Sequence, residues 1–325
     1  MFSYRKILRQ ALDMTWRYKF LWFFGLFATL LGAGGEYQIL NHIFENNGET
    51  TISGIGRYGT MFSPDSWANI GTYFAVDTTS AIISLLMLLL TIALTIFVLI
   101  LAVSSQAAIV DQTEKILGKK TKNIGLSPGT VTGQKHFWPV LGINILIKIV
   151  IAVIFFLIAL PILLSPLGQW LPIFIYVILF IIFIPIIIGL SLITKYAIAF
   201  IVIKKNKFYE AIENAWVLFR DNWVVSLEMA LILVVINVLT GLVITIAAFA
   251  VAAPFIIFAF LLSNFAVFWL IAFLGLASLI AAIIWFGSML TTFQISAWTT
   301  LYISLVKRQG KSKIARLKEK AKKRK

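Results

Sequence analysis

From residue 172 to residue 203 the chain carries a single charge, Lys195, in the run PIFIYVILFIIFIPIIIGLSLITKYAIAFIVI. A stretch that long and that apolar spans the roughly 30 Å hydrocarbon layer of a bilayer as a helix. In lipid only a helix or a closed barrel satisfies every backbone N–H and C=O. Comparable runs occupy residues 81–110, 138–160, 223–253 and 265 to about 306. A sixth, residues 20–35, falls short of the roughly 20 residues a crossing needs, and residues 37–40 extend it past Glu36. The last run is too long for a bilayer, so it either continues into water as a helix or breaks near Gly287 and Ser288. Pro185 is expected to kink the fourth span, because it removes a backbone donor. With 60% hydrophobic and 13% charged residues, the chain needs lipid as its solvent. The expected fold is all-α, a polytopic membrane bundle of six transmembrane helices in three hairpins.

Two spans are preceded by a different pattern. In residues 208–221 the apolar side chains fall at Phe208, Ile212, Ala215, Trp216 and Phe219, one face of a helix, with Glu210, Glu213, Asn214, Arg220 and Asp221 opposite. At Trp223 this pattern gives way to a span. Residues 2–18 repeat it, with Tyr4, Ile7, Leu8, Ala11, Leu12 and Trp16 against Arg5, Lys6, Arg9, Gln10, Asp13 and Arg17. Both read as amphipathic helices on the membrane surface, with Trp16, Trp22, Trp138, Trp216 and Trp223 as anchors at the headgroup level. Residues 126–133, LSPGTVTG, read as a turn-rich break. Residues 161–171 and 254–264 read as uncharged turns. Residues 41–77 form a polar, glycine-rich connection in which residues 67–76 could dip into an interface.

The connections alternate in charge. Lys and Arg number five in residues 1–19, one in 41–77, five in 111–136, none in 161–171, four in 204–222, none in 254–264 and 11 in 307–325. By the positive-inside rule both termini are cytoplasmic and the protein sits in the cell (plasma) membrane. The expected domains are a single bundle over residues 1–306, built from hairpin units of about 1–110, 127–203 and 208–306, and a basic cytoplasmic tail over 307–325. The first and third units share Ala, four residues, Trp, then a second Trp, which reads as an internal repeat. The N-terminus interleaves charge with apolar residues and has no signal-peptide pattern.

The segments AIENAWVLFRDNWVVSL, LSPGTVTGQKHFWPVLGINIL and TTFQISAWTTLYISLVKRQ resemble a broad, uncharacterised family of prokaryotic six-helix integral membrane proteins. That family is similar to the membrane domain attached to some glycerophosphodiester phosphodiesterases. The likeness covers most of the chain and rests on loose Trp and Ala spacings. It implies a fold and a membrane, and not the hydrolase activity, because the soluble catalytic barrel has no counterpart here.

Three charges fall well inside spans: Lys148, Lys195 and Glu228. An unpaired charge there costs on the order of 3 kcal/mol or more, so Glu228 is expected to pair with Lys195 or Lys148. The pair is either a structural ion pair or part of a polar cavity open to the cytoplasm. Gln106, Asn144, Asn237 and Gln294 lie at similar depth, with Gln106, Lys195 and Gln294 placed to line one central site or to act as interhelical hydrogen bonds. Cysteine is absent, and His42 and His136 lack ligand-spaced neighbours, so no metal, cofactor or catalytic constellation is expected. The tail is expected to engage anionic lipid headgroups. It has no interleaved aromatics to stack bases, which disfavours nucleic acid. The expected role is a non-enzymatic scaffold or accessory subunit engaging lipids and partner membrane proteins. The alternative is a small transporter or insertase-like protein with a cytoplasm-facing polar cavity.

Overall fold

The computed structural model describes residues 4–29, 78–119, 123–163, 170–261 and 265–309. The regular elements among them are helices: α1 (Tyr4–Arg17), α2 (Phe20–Thr29), α3 (Thr78–Leu117), α4 (Leu126–Lys135), α5 (Phe137–Leu163), α6 (Trp170–Lys204), α7 (Phe208–Asp221), α8 (Trp223–Leu261) and α9 (Phe265–Gln309). Five of them contain segments long and apolar enough to cross a membrane: Ile82–Leu117, Phe137–Ile154, Pro185–Lys204, Trp223–Phe255 and Val267–Lys307. Phe20–Thr29 is apolar but short. The remainder of that expected first span, the connection with His42 and residues 67–76, the turn at 164–169 and the tail from residue 310 lie outside the described residues.

Three boundaries differ from expectation. LSPGTVTG is the helix α4 rather than a break. Helix α5 runs through Pro161 to Leu163, and α8 passes Pro254 and ends at Leu261. Proline inside a membrane helix is tolerated where neighbours satisfy the freed backbone group, so the two prolines do not mark turns. Helix α6 carries Pro185, the expected kink position, inside its length. Helix α9 is unbroken across Gly287 and Ser288. Its 45 residues reach roughly 67 Å at 1.5 Å per residue, more than twice the hydrocarbon thickness.

The short helices meet the long ones where the sequence changes pattern. Helix α7 ends at Asp221 and α8 begins at Trp223. The junction residue Asn222 donates its side-chain N–H to the Leu218 carbonyl at 3.1 Å, and Ser226 donates back to the Asn222 carbonyl at 2.9 Å. The first turn of α7 is closed by the Lys207 backbone N–H donating to Glu210 at 3.3 Å.

The chain divides into two compact units, Tyr37–Leu101 and the rest. In the smaller unit the described part of α3 bears exposed apolar side chains, Leu86 and Leu90 among them. In the larger unit α9 is the hub. It packs on α8, α2, α1 and α6, while α6 also packs on α7 and α5. Burial is concentrated on one stretch of each long helix: residues 192–202 of α6, a stripe from Ser226 to Asn237 in α8, and residues 291–302 of α9. Toward their other ends α8 and α9 present exposed Leu239, Leu242, Phe273 and Leu276. Apolar surface of that extent belongs in lipid.

The buried stretch of α9 is TTFQISAWTTLY, rich in small hydroxyl residues. Thr299 and Thr300 return their hydroxyls to carbonyls one turn back at 2.8 and 2.7 Å, so the polar groups are satisfied locally while the small side chains admit neighbours. One such neighbour is α2. A Cβ on Gly25 would stand 2.2 Å from both the Ser288 carbonyl oxygen and Thr292 Oγ1, so only glycine fits the crossing. Around it Ser288 donates to the Trp22 carbonyl, Thr292 to the Leu21 carbonyl at 3.1 Å, and the hydroxyls of Thr29 and Thr291 meet at 2.9 Å. Helix α4 is seated in the same way. A Cβ on Gly133 would stand 2.3 Å from the Ser104 carbonyl oxygen of α3, and one on Gly129 would stand 2.7 Å from the Phe24 ring.

Candidate functional site

The three intramembrane charges do not meet. Glu228 accepts a hydrogen bond from the Tyr4 hydroxyl of α1, and among the described residues it forms no ion pair with Lys148 or Lys195. The register explains this. The buried stripe of α8 runs through Ser226, Met229, Ala230 and Leu233, and Glu228 falls off it, exposed. Lys148 falls off the Val140–Ile143 stripe of α5 and is also exposed. Lys195 is partly buried, and its ammonium stands 4.5 Å from the centroid of the Trp298 ring of α9, a cation–π contact that stabilises a charge in apolar surroundings.

The uncharged polar residues form separate clasps rather than one central site. Asn144 of α5 donates to Gln106 of α3 at 3.0 Å and to the Val140 carbonyl at 2.9 Å. Gln294 of α9 donates to Asn237 of α8, both buried. Each joins two helices, and such bonds contribute about 0.6–1.7 kcal/mol in a membrane. Tyr196 of α6 and Ser226 of α8 share a further one at 2.7 Å, which no periodicity in the sequence singles out.

Of the tryptophans, Trp16, Trp138, Trp216 and Trp223 are exposed, Trp138 at 77%. Trp22 is instead built into the bundle. Its indole N–H donates to the Thr15 carbonyl at 2.8 Å, and its ring stands edge-on to Trp16 at 6.0 Å and Trp285 at 5.6 Å.

A concave feature of the larger unit lies where α1 meets α8 and α9. It is a groove of about 670 Å³. Helix α8 contributes the stripe Ile232, Ile236, Thr240 and Ile244, and α9 contributes Phe286, Met289, Leu290 and Phe293. Both follow the i, i+4 spacing of a single helix face. Helix α1 closes one side with Tyr4, Arg5, Leu8, Arg9 and Leu12. The walls are thus hydrocarbon, with two guanidiniums and a phenol along one edge. Burial, together with the hydrogen bond and negative charge of Glu228, pushes the Tyr4 hydroxyl up to about 12, so Tyr4 is a neutral donor at physiological pH. The groove joins segments more than 200 residues apart, so sequence periodicity shows each wall and not their meeting.

No family model, no curated protein and no solved structure matches this chain.

Proposed function

We propose that the chain is a six-span, non-enzymatic protein of a prokaryotic plasma membrane. It forms three hairpins with both termini cytoplasmic, and it acts as a scaffold or accessory subunit engaging lipid and partner membrane proteins. In this reading α2 and the residues after it complete the first crossing, and α1, α4 and α7 are the three short helices that each precede a span. The presence of a helix at α4, where the sequence reads as a break, supports the threefold repeat. The likeness to the membrane domain of glycerophosphodiester phosphodiesterases bears on this fold and not on hydrolysis.

The observation that carries the functional reading is the separation of the three charges. A transporter or insertase-like cavity needs Lys148, Lys195 and Glu228 around one hydrated volume, whereas here Lys195 lies against Trp298 and Glu228 against Tyr4. The absence of cysteine makes the test clean. A single Lys195→Cys substitution, probed with a water-soluble maleimide in sealed inverted vesicles, is expected to stay unlabelled until the protein is denatured. Rapid labelling in the native state would favour the polar-cavity alternative.

A further inference from the structure

We propose that the groove between α1, α8 and α9 holds one anionic phospholipid, with an acyl chain along α8 and α9 and the phosphate on Arg5 and Arg9. The inference rests on the lipid-engaging reading above and gives it a site and a ligand class.

The walls set the apolar part of the ligand. From Ile232 to Ile244 the α8 stripe rises by twelve residue steps, roughly 18 Å of helix, a length that suits an extended acyl chain. Its volume of about 670 Å³ is in the range of sites that enclose a small ligand. The groove borders the exposed apolar residues Leu231, Val235 and Leu239 of α8, so a chain can enter sideways from lipid without passing through water.

The edge sets the polar part. Arg5 and Arg9 are four residues apart on α1, hence neighbours on one helix face, and both are exposed while also lining the groove. Neither makes an ion pair among the described residues. Asp13 lies one turn further along α1, and the Glu228 carboxylate is taken by Tyr4. Two guanidiniums that make no ion pair among the described residues, beside an apolar slot, match a phosphate carried on a hydrocarbon chain, since guanidinium binds phosphate oxygens bidentately. Other occupants fit less well. The tail of this chain carries 11 Lys and Arg and is repelled by the same edge. An apolar helix of a second copy would fill the walls and leave both guanidiniums without a counter-charge.

The test is native mass spectrometry of the full-length protein reconstituted in equal parts phosphatidylglycerol and phosphatidylcholine, extracted in mild detergent and washed at about 1 M salt. At that salt the screening length is about 3 Å, so lipid held at the tail by charge alone is removed. The wild type is expected to retain one phospholipid, with phosphatidylglycerol preferred. Arg5→Gln with Arg9→Gln should lose that preference by about tenfold or more, because guanidinium–phosphate hydrogen bonds at contact distance are screened far less than the tail. Thr240→Phe, which fills the slot and leaves the arginines, should lose the retained lipid of either kind. Equal retention of the two lipids by the wild type, or unchanged phosphatidylglycerol in the double variant, overturns the proposal. A second protein copy in place of lipid overturns it as well. The wider functional reading fails separately, through native-state labelling at position 195.

Discussion

Gly25→Ala is the smallest change that tests how α2 is held. The new methyl would stand 2.2 Å from a backbone oxygen and from Thr292 Oγ1, where real Cβ contacts under 3.0 Å essentially do not occur. Thr292 can rotate away, but the Ser288 carbonyl cannot leave its helix. The two helices must therefore separate by roughly an ångström. That stretches three interhelical hydrogen bonds at once: Ser288 to the Trp22 carbonyl, Thr292 to the Leu21 carbonyl, and Thr29 with Thr291. At about 0.6–1.7 kcal/mol each in a membrane, with lost packing added, the expected destabilisation is about 2–4 kcal/mol. The better helix propensity of alanine offsets less than about 1 kcal/mol of it. The assay is equilibrium unfolding in mixed micelles by increasing denaturing detergent. Gly287→Ala is the control, because a Cβ there meets nothing within 4 Å, and it should be neutral or slightly stabilising. A Gly25→Ala protein within about 0.5 kcal/mol of wild type, the scatter of ordinary surface substitutions, would refute the close crossing.

Three further outcomes follow from the same contacts. Gly133→Leu should lower the unfolding midpoint and expose α4 to protease, since even a Cβ would stand 2.3 Å from the Ser104 carbonyl; unchanged proteolysis would mean α4 is not seated on α3. Gln294→Leu leaves Asn237 buried without its donor, so it should cost about 1–3 kcal/mol in the same unfolding assay, and adding Asn237→Leu should recover part of that loss; a double variant worse than the sum would contradict the clasp. Tyr4 titrates in the folded protein near 12 rather than 10, so its contribution is intact below pH 10 and is lost as pH rises through 12. Ultraviolet difference titration against Tyr4→Phe checks this, and a difference midpoint near 10 would show that Tyr4 is free of Glu228.

Much of the architecture is legible in the sequence because lipid imposes simple rules. The apolar runs give the long helices, and the switch at Trp223 places the α7–α8 junction within a residue. The reading goes astray where one residue type has two meanings. Gly129 and Gly133 signal a turn in a soluble chain, yet glycines four apart also let helices touch, and the structure uses them so. Pro161 and Pro254 stop helices in water and sit inside them here. The site was the least legible part. Depth in a span is visible from counting, so Lys195 and Glu228 stand out, but which side of the helix each occupies depends on register against partners distant in sequence. Arg5 and Arg9 look like an ordinary polar face until Ile236 and Phe293 are placed beside them.

The central claim is that α2 starts a full crossing, which makes six spans and puts both ends of the chain on one side. With no native cysteine, single substitutions Ser3→Cys, Thr51→Cys and Ser312→Cys can be probed in intact cells with an impermeant maleimide. Labelling at position 51 alone, with 3 and 312 reached only after permeabilisation, is the expected result. Positions 3 and 312 on opposite faces of the membrane would leave five crossings and contradict the account.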